Sequence, residues 1–265
     1  MKNKHFFILA IYLLFTISSF SQETSNVDVL PTNVGGKSEF KRVFEQELVY
    51  PESSLKNKVG GTVTINFEIR KDSAVSNVKM VSCGVSELDK EAMRIFKLYL
   101  WVPAIKEAEY IGTNWSVAFV FDPAKYSKIC KARGYANFPY LTDVKMDTTG
   151  RIYKSGVQMP AYGKGNFALQ DFIKENLEYP RQAQLSNIQG TVVLNFVVEP
   201  SGLMTNISVE KSIGGGCDQE AIRVLQLIKW YPGKHDESIA RVKMNFPFYF
   251  VLNEDFKDNT AGEQK

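Results

Sequence analysis

The sequence is poor in the residues on which most catalytic and metal sites depend. It has two histidines in 265 residues, His5 and His235. Its three cysteines, Cys83, Cys130 and Cys217, lie far apart, without the Cys-x-x-Cys or Cys/His spacing of a metal site. No serine-nucleophile motif, glycine-rich phosphate loop or metal-ligand motif occurs. Catalytic residues, metal ligands and cofactor-binding residues are therefore not expected, and the chain is not expected to be an enzyme. Only His235 meeting Ser212 or Cys217 in a pocket would reopen that question.

Long runs of one kind are also missing. No cluster of Lys or Arg accompanies the net charge of +3, so nucleic acid is not an expected partner. The only extended apolar stretch, Phe6 to Ile17, is short of the roughly 20 residues that cross a bilayer. It follows Lys2 and Lys4 and ends in Ser18-Ser19-Phe20-Ser21, the form of a secretory signal peptide over residues 1–21. Cleavage there leaves Gln22 first, and removing Lys2 and Lys4 leaves 30 basic residues against 29 acidic. A retained inner-membrane anchor is the alternative. Export places the cysteines in an oxidising compartment, where burial as small apolar residues and a disulfide both stay open.

What the sequence does contain is itself, twice. LVYPESSLKNKVGGTVTINFEIRKDS, from Leu48, returns as LEYPRQAQLSNIQGTVVLNFVVEPSG, from Leu177, 129 positions later. Pro31 pairs with Pro160, Tyr50-Pro51 with Tyr179-Pro180, Gly61 with Gly190, and Asn77 with Asn206. Asp89, Arg94 and Trp101 pair with Asp218, Arg223 and Trp230. The period is too long for a solenoid, so two domains are expected, over residues 30–122 and 159–253. Residues 123–158 join them and 254–265 form a polar tail. The join is rich in aromatic residues, including Tyr126, Tyr135, Phe138, Tyr140 and Tyr153, and is suited to packing against either domain.

Apolar spacing predicts helices over 37–48 and 166–177, each stopped by Tyr-Pro, because the residue before proline avoids helical geometry. Thr62–Ile69 alternates as a half-buried strand, whereas Val192–Val198 is apolar on both faces except Asn195. Second strands follow at 75–82 and 204–211. Helices built on Leu88, Ala92, Ile95 and Phe96, and on Ala221, Val224 and Leu225, come next. Trp-x-Pro ends each helix, and aromatic-rich strands close each unit. The predicted class is α+β, each unit a small antiparallel three-stranded sheet packed with two helices.

Tyr-Pro, Gly-Thr-Val, Asp-x-Glu-Ala-x-Arg, Trp-x-Pro and the closing strand together resemble the C-terminal domain of TonB, over 31–121 and again over 160–252. The resemblance implies a periplasmic binding module that takes the TonB box, an extended peptide of outer-membrane transporters, as an added strand. It places the receiving edges on Thr113 to Phe121, with Trp115, Val117, Ala118 and Phe119, and on Arg241 to Phe250, with Lys243, Asn245 and Phe248. Unpaired backbone groups on an edge strand make such addition possible. Pro247 stands where the first copy has Ala118 and weakens the second edge.

Tyr50, Pro51, Gly61, Asp89, Trp101 and their copies Tyr179, Pro180, Gly190, Asp218, Trp230 are expected to be structural. The tyrosines pack at helix ends, the glycines allow a bend, the aspartates favour helix starts and the tryptophans anchor cores. The chain is expected to lack the long membrane-spanning anchor and the proline-rich arm of a working TonB. The expected partner is a protein or peptide: a TonB-dependent outer-membrane transporter or another TonB-system component, with a homodimer left open. The alternatives are an envelope assembly module without TonB-box binding, and a transducer anchored by an uncleaved N-terminus.

Overall fold

The computed structural model describes residues 27–136, 145–163 and 166–252. The expected signal peptide, the polar tail, and Phe138 and Tyr140 lie outside the described residues. In the first unit, helix α1 spans Gly36–Glu47 and α2 spans Glu52–Lys56. Strands β1 (Gly61–Ile69) and β2 (Val75–Val81), helix α3 (Ser86–Phe96) and strand β3 (Thr113–Phe121) complete it. The sheet order is β2-β1-β3, all antiparallel. Val63, Ile65, Phe67 and Ile69 alternate into the core against Val43, Leu88, Ile95, Phe119 and Phe121.

Helix α4 (Pro123–Arg133) and strand β4 (Ile152–Tyr153) follow. The second unit is α5 (Asn166–Asn176), α6 (Arg181–Leu185), β5 (Gly190–Val198), β6 (Met204–Lys211), α7 (Cys217–Leu227) and β7 (Arg241–Phe250). Its sheet order is β6-β5-β7-β4, with a fourth strand that has no counterpart in the first unit among the described residues. The class is α+β with two repeated units, as the pattern predicts. Each unit has a further short helix directly after Tyr-Pro, with Pro51 or Pro180 as its N-cap, while the first helices already end at Glu47 and Asn176. Residues 192–198 are covered on both faces only at their end, where Val197 and Val198 are both buried.

The joining segment is divided between the units. Asp122 caps α4 by accepting from the Ala124 and Lys125 amides, and Gly134 ends it in the left-handed region. Tyr126 then enters the first core, its ring 5.2 Å from that of Tyr50. Arg133 donates to the carbonyls of Glu45 and Gln46 at the end of α1. The far end, β4, instead pairs in parallel with β7.

The repeated Glu-Ala-x-Arg has a role that its spacing did not disclose. Glu91 accepts from the Val49 amide, and Arg94 pairs with Glu91 while donating to the Glu47 carbonyl. In the second unit Glu220 accepts from the Glu178 amide, and Arg223 pairs with Glu220 while donating to the Asn176 carbonyl. Each pair thus fastens the end of the unit's first helix to its main helix.

The units dock through the outer edge of β6. Asn206 is a bulge residue with φ of 56°, buried at 3% exposure. Its amide donates to the Leu98 carbonyl and accepts from the Leu100 amide, both at 2.8 Å. Arg42 and Gln46 of α1 donate to the Met204 carbonyl, and Glu39 accepts from the Ile207 amide. Gly35 turns into α1 at φ of 81°, and a Cβ there would stand 2.6 Å from the Ile207 carbonyl oxygen. Arg241 makes a two-pronged pair with buried Glu199 at 2.7 and 2.8 Å, and also donates to the Lys97 and Leu98 carbonyls. Behind it, Glu47 accepts from Ser201.

Removing one partner of a buried ion pair strands the other charge. Arg241→Met is expected to destabilise the docked chain by about 3–5 kcal/mol, and the double change with Glu199→Met by much less. Urea unfolding curves of the three chains check this. Burial, and next the Glu199 carboxylate, push the Glu47 carboxyl above its ordinary value of 4.5 against the pull of Arg94. A raised carboxyl contributes stability below its unfolded value, which is lost as pH rises through the folded one. Glu47→Gln keeps the acceptor for Ser201 and is expected to match the wild type below that ordinary value and exceed it near neutrality, read as melting temperature against pH.

Candidate functional site: an open strand edge

β3 pairs with β1 over nine residues without a break, from Gly61 opposite Phe121 to Ile69 opposite Thr113. Its other edge has no strand partner among the described residues. Phe119 and Phe121 point into the core, and Trp115 and Val117 pack partly against it. Asn114, Ser116, Ala118 and Val120 face solvent. The strand is therefore held rigidly on one side while its opposite row of N–H and C=O groups is free to accept a ladder. The side chain of Thr113 is buried, its hydroxyl oxygen without a partner.

The second edge is a different surface. β7 pairs with β5 over nine residues, including Val193 opposite Pro247. A proline nitrogen carries no hydrogen, so in an unbroken ladder it must face away from the partner strand. The outward donor that Ala118 supplies in the first unit is thus missing in the second. Ile152 and Tyr153 moreover occupy the start of β7 opposite Arg241 and Val242, and Met146 bridges Ile239 just before it. Arg241, expected on a receiving edge, has its backbone paired to β4 and its side chain committed to Glu199 and to the first unit. Lys243, Asn245 and Phe248 belong to the stretch beyond β4, and the Phe248 side chain is wholly buried.

The residues expected to be structural fall where they can act so, with changes of detail. Tyr50 and Tyr179 donate to the carbonyls of Val59 and Ile188, nine residues on, and burial pushes the Tyr50 hydroxyl to about 12. Gly61 is needed for close approach rather than for a bend, since a Cβ would stand 2.9 Å from that of Cys83. Asp89 and Asp218 lie in the first turns of α3 and α7. They accept from the loop before the helix, Ser82 and Cys83 in one unit and Ser212 and Ile213 in the other. Trp101 and Trp230 are buried in their cores, and the Trp230 N–H meets the Met204 sulfur at 3.2 Å.

His235, Ser212 and Cys217 have separate surroundings. His235 stacks on Tyr153 and pairs with Asp236, Ser212 donates to Asp218, and Cys217 is buried in the second core. The three cysteines are free thiols. Among the described residues no group of three or more His, Cys, Asp or Glu is placed to hold a metal ion. No helix among them is long and apolar enough to cross a membrane.

The comparison with known families decides what these repeated units are. The profile described as Gram-negative bacterial TonB protein C-terminal matches residues 46–123 and again 175–252, more than half of the chain and in the register of the repeat. The chain belongs to the TonB C-terminal domain family. A search of curated proteins finds no match. TonB C-terminal domains are periplasmic modules that generally mediate protein interactions with TonB-system components.

Ala118→Pro removes one outward donor and leaves the β1 ladder intact. It is expected to change unfolding stability by less than about 1 kcal/mol, because the same geometry already accepts Pro247 in the second unit. Thermal unfolding of the variant beside the wild type checks this.

Proposed function

We propose that this chain is an exported periplasmic binding protein of the TonB system. Its first unit takes an extended segment of a TonB-dependent outer-membrane transporter, or of another TonB-system protein, as an added strand along Thr113–Phe121. The observation that carries the reading is the contrast between the edges. Among the described residues that of β3 is unpaired over its whole length, while that of β7 is paired at its start and lacks a donor at Pro247. In this reading backbone groups supply affinity. The outward side chains Asn114, Ser116, Ala118 and Val120 contact the guest and set which sequences fit.

The proposed domain limits are 30–122 and 159–253, with 123–158 between them and residues 1–21 as the export signal. The second unit serves in this reading as a support for the first. A second reading, an envelope assembly module with no TonB-box binding, draws on the coverage of the remaining edges: β6 by the first unit and the start of β7 by β4.

The test is capture of outer-membrane transporters by residues 22–265, beside titration of a labelled peptide bearing a transporter's N-terminal segment. Loss of one backbone bond and the clash of the ring are expected to weaken peptide binding by about tenfold in Ala118→Pro. Recovery of transporters by the wild type and not by the variant supports strand addition. Recovery by neither, with no peptide binding, leaves the assembly reading.

A further inference from the structure

We propose that the chain associates head to tail with further copies of itself, through the asparagine-bearing hairpin edge of its first unit and the helix face of another copy's second unit. The strand edge by which the second unit holds the first exists again on the first unit, where it is exposed, without the grips of Arg241, Glu39 and Gly35, whose counterparts are Gly112, Ala168 and Lys164. Asn77 is the repeat counterpart of Asn206 and shares its geometry: φ of 52° against 56°, with the same interruption of register opposite the neighbouring strand. In the second unit the flanking Met204 and Ile207 are each 4% exposed. Their counterparts Val75 and Val78 are 37% and 41% exposed, with Met80 at 41% and Val81 at 57% beside them. The Asn77 amide, with no neighbour to bridge, turns back onto Glu68 at 2.6 Å.

The complementary surface on the second unit is also open. The counterparts of Leu98 and Leu100 are Leu227 and Lys229, both exposed. The side chains that frame the contact have changed in a correlated way. On the helix side, Arg42 and Gln46 of α1 become Asp171 and Glu175 of α5, both exposed. On the hairpin side, Glu199, Pro200 and Ser208 become Arg70, Lys71 and Lys79, likewise exposed. Asp171 and Glu175 thus offer acids to Lys71 and Lys79, while Arg70 pairs with Asp72 of its own hairpin and Lys229 lies beside the acids. In the internal contact the charges are instead paired within their own units, Arg42 with Glu39 and Glu199 with Arg241. The contact between copies joins two different faces, so each added copy leaves one of each free, and growth does not close at two. Its charged rim makes it sensitive to salt.

The experiment is sedimentation velocity with light scattering over a range of concentrations at low and high salt. The wild-type average mass is expected to pass beyond the dimer as concentration rises, and to fall back in high salt. Asn77→Ala with Val78→Lys blocks the hairpin face; Asp171→Arg with Glu175→Arg blocks the helix face. All four positions are exposed, so folding is expected to be retained, which circular dichroism checks. Each variant alone is expected to stay monomeric, and an equal mixture is expected to form one-to-one dimers and stop there. A wild-type chain that stays monomeric, or that stops at a dimer, overturns the proposal. So does association that either blocked variant retains by itself, or a mixture that does not pair. None of these outcomes depends on peptide binding at β3.

Discussion

Arg241 is the residue on which the arrangement of the two units most depends. Its guanidinium neutralises the buried Glu199 and reaches the carbonyls of Lys97 and Leu98 in the other unit. A buried charge pair is weak evidence of net stability, because desolvation offsets much of the attraction. It is stronger evidence of specificity: Glu199, in the same unit, holds the guanidinium in place, and the Lys97 and Leu98 carbonyls of the other unit must then come to meet it. The repeat counterpart of Arg241 is Gly112, so the first unit has no equivalent grip. The order of the units in the contact is therefore fixed by chemistry that only one copy carries.

That docking determines which strand edges remain available. A three-stranded sheet exposes two edges, and two such sheets expose four. Side chains of α1 cap the β6 edge: Arg42 and Gln46 take the Met204 carbonyl, and Glu39 takes the Ile207 amide. The joining segment covers the start of the β7 edge. What is left uncovered lies chiefly on the first unit, β3 on one side and β2 on the other. The two proposals address these two edges separately, one for a foreign peptide and one for a further copy of the chain.

Much of this fold was legible from the repeat, because two diverged copies that agree at Tyr-Pro, Gly-Thr-Val and Trp-x-Pro report the constraints of one core. The main strands and helices follow from alternation and helical spacing in each copy. What the repeat hid is whatever distinguishes the copies. Arg241, Glu199 and Glu39 have no matching partners 129 positions away, so comparison within the chain discards the very residues that join the units. β4 was illegible for another reason. Two residues, Ile152 and Tyr153, carry no periodicity, and their pairing with β7 is a tertiary fact. The α4 helix carried readable punctuation, Asp122-Pro123 at its start and Gly134 at its end, but little apolar stripe to draw attention to it. The edge strand itself was found through resemblance, since nothing in Thr113–Phe121 taken alone says which of its sides is paired.

Pro247 and Asn77 together show how duplication can divide labour within one chain. A proline facing outward costs its own sheet nothing, because the ladder to β5 never used that nitrogen. Its effect is confined to any strand that would approach from outside, so it protects the second unit against pairing without altering its fold. Asn77 is the converse case. Both sheets place an asparagine in the left-handed region at a register shift, a conformation that asparagine tolerates better than most residues. In the second unit the bulge is compensated by the contacts of Asn206 to Leu98 and Leu100. In the first unit the same conformation recurs, and the Asn77 amide donates to Glu68. The bulge thus belongs to the sheet of each unit, and what differs is its surroundings: Met204 and Ile207 are covered beside Asn206, whereas Val75 and Val78 are exposed beside Asn77 and leave that edge open to a contact from outside.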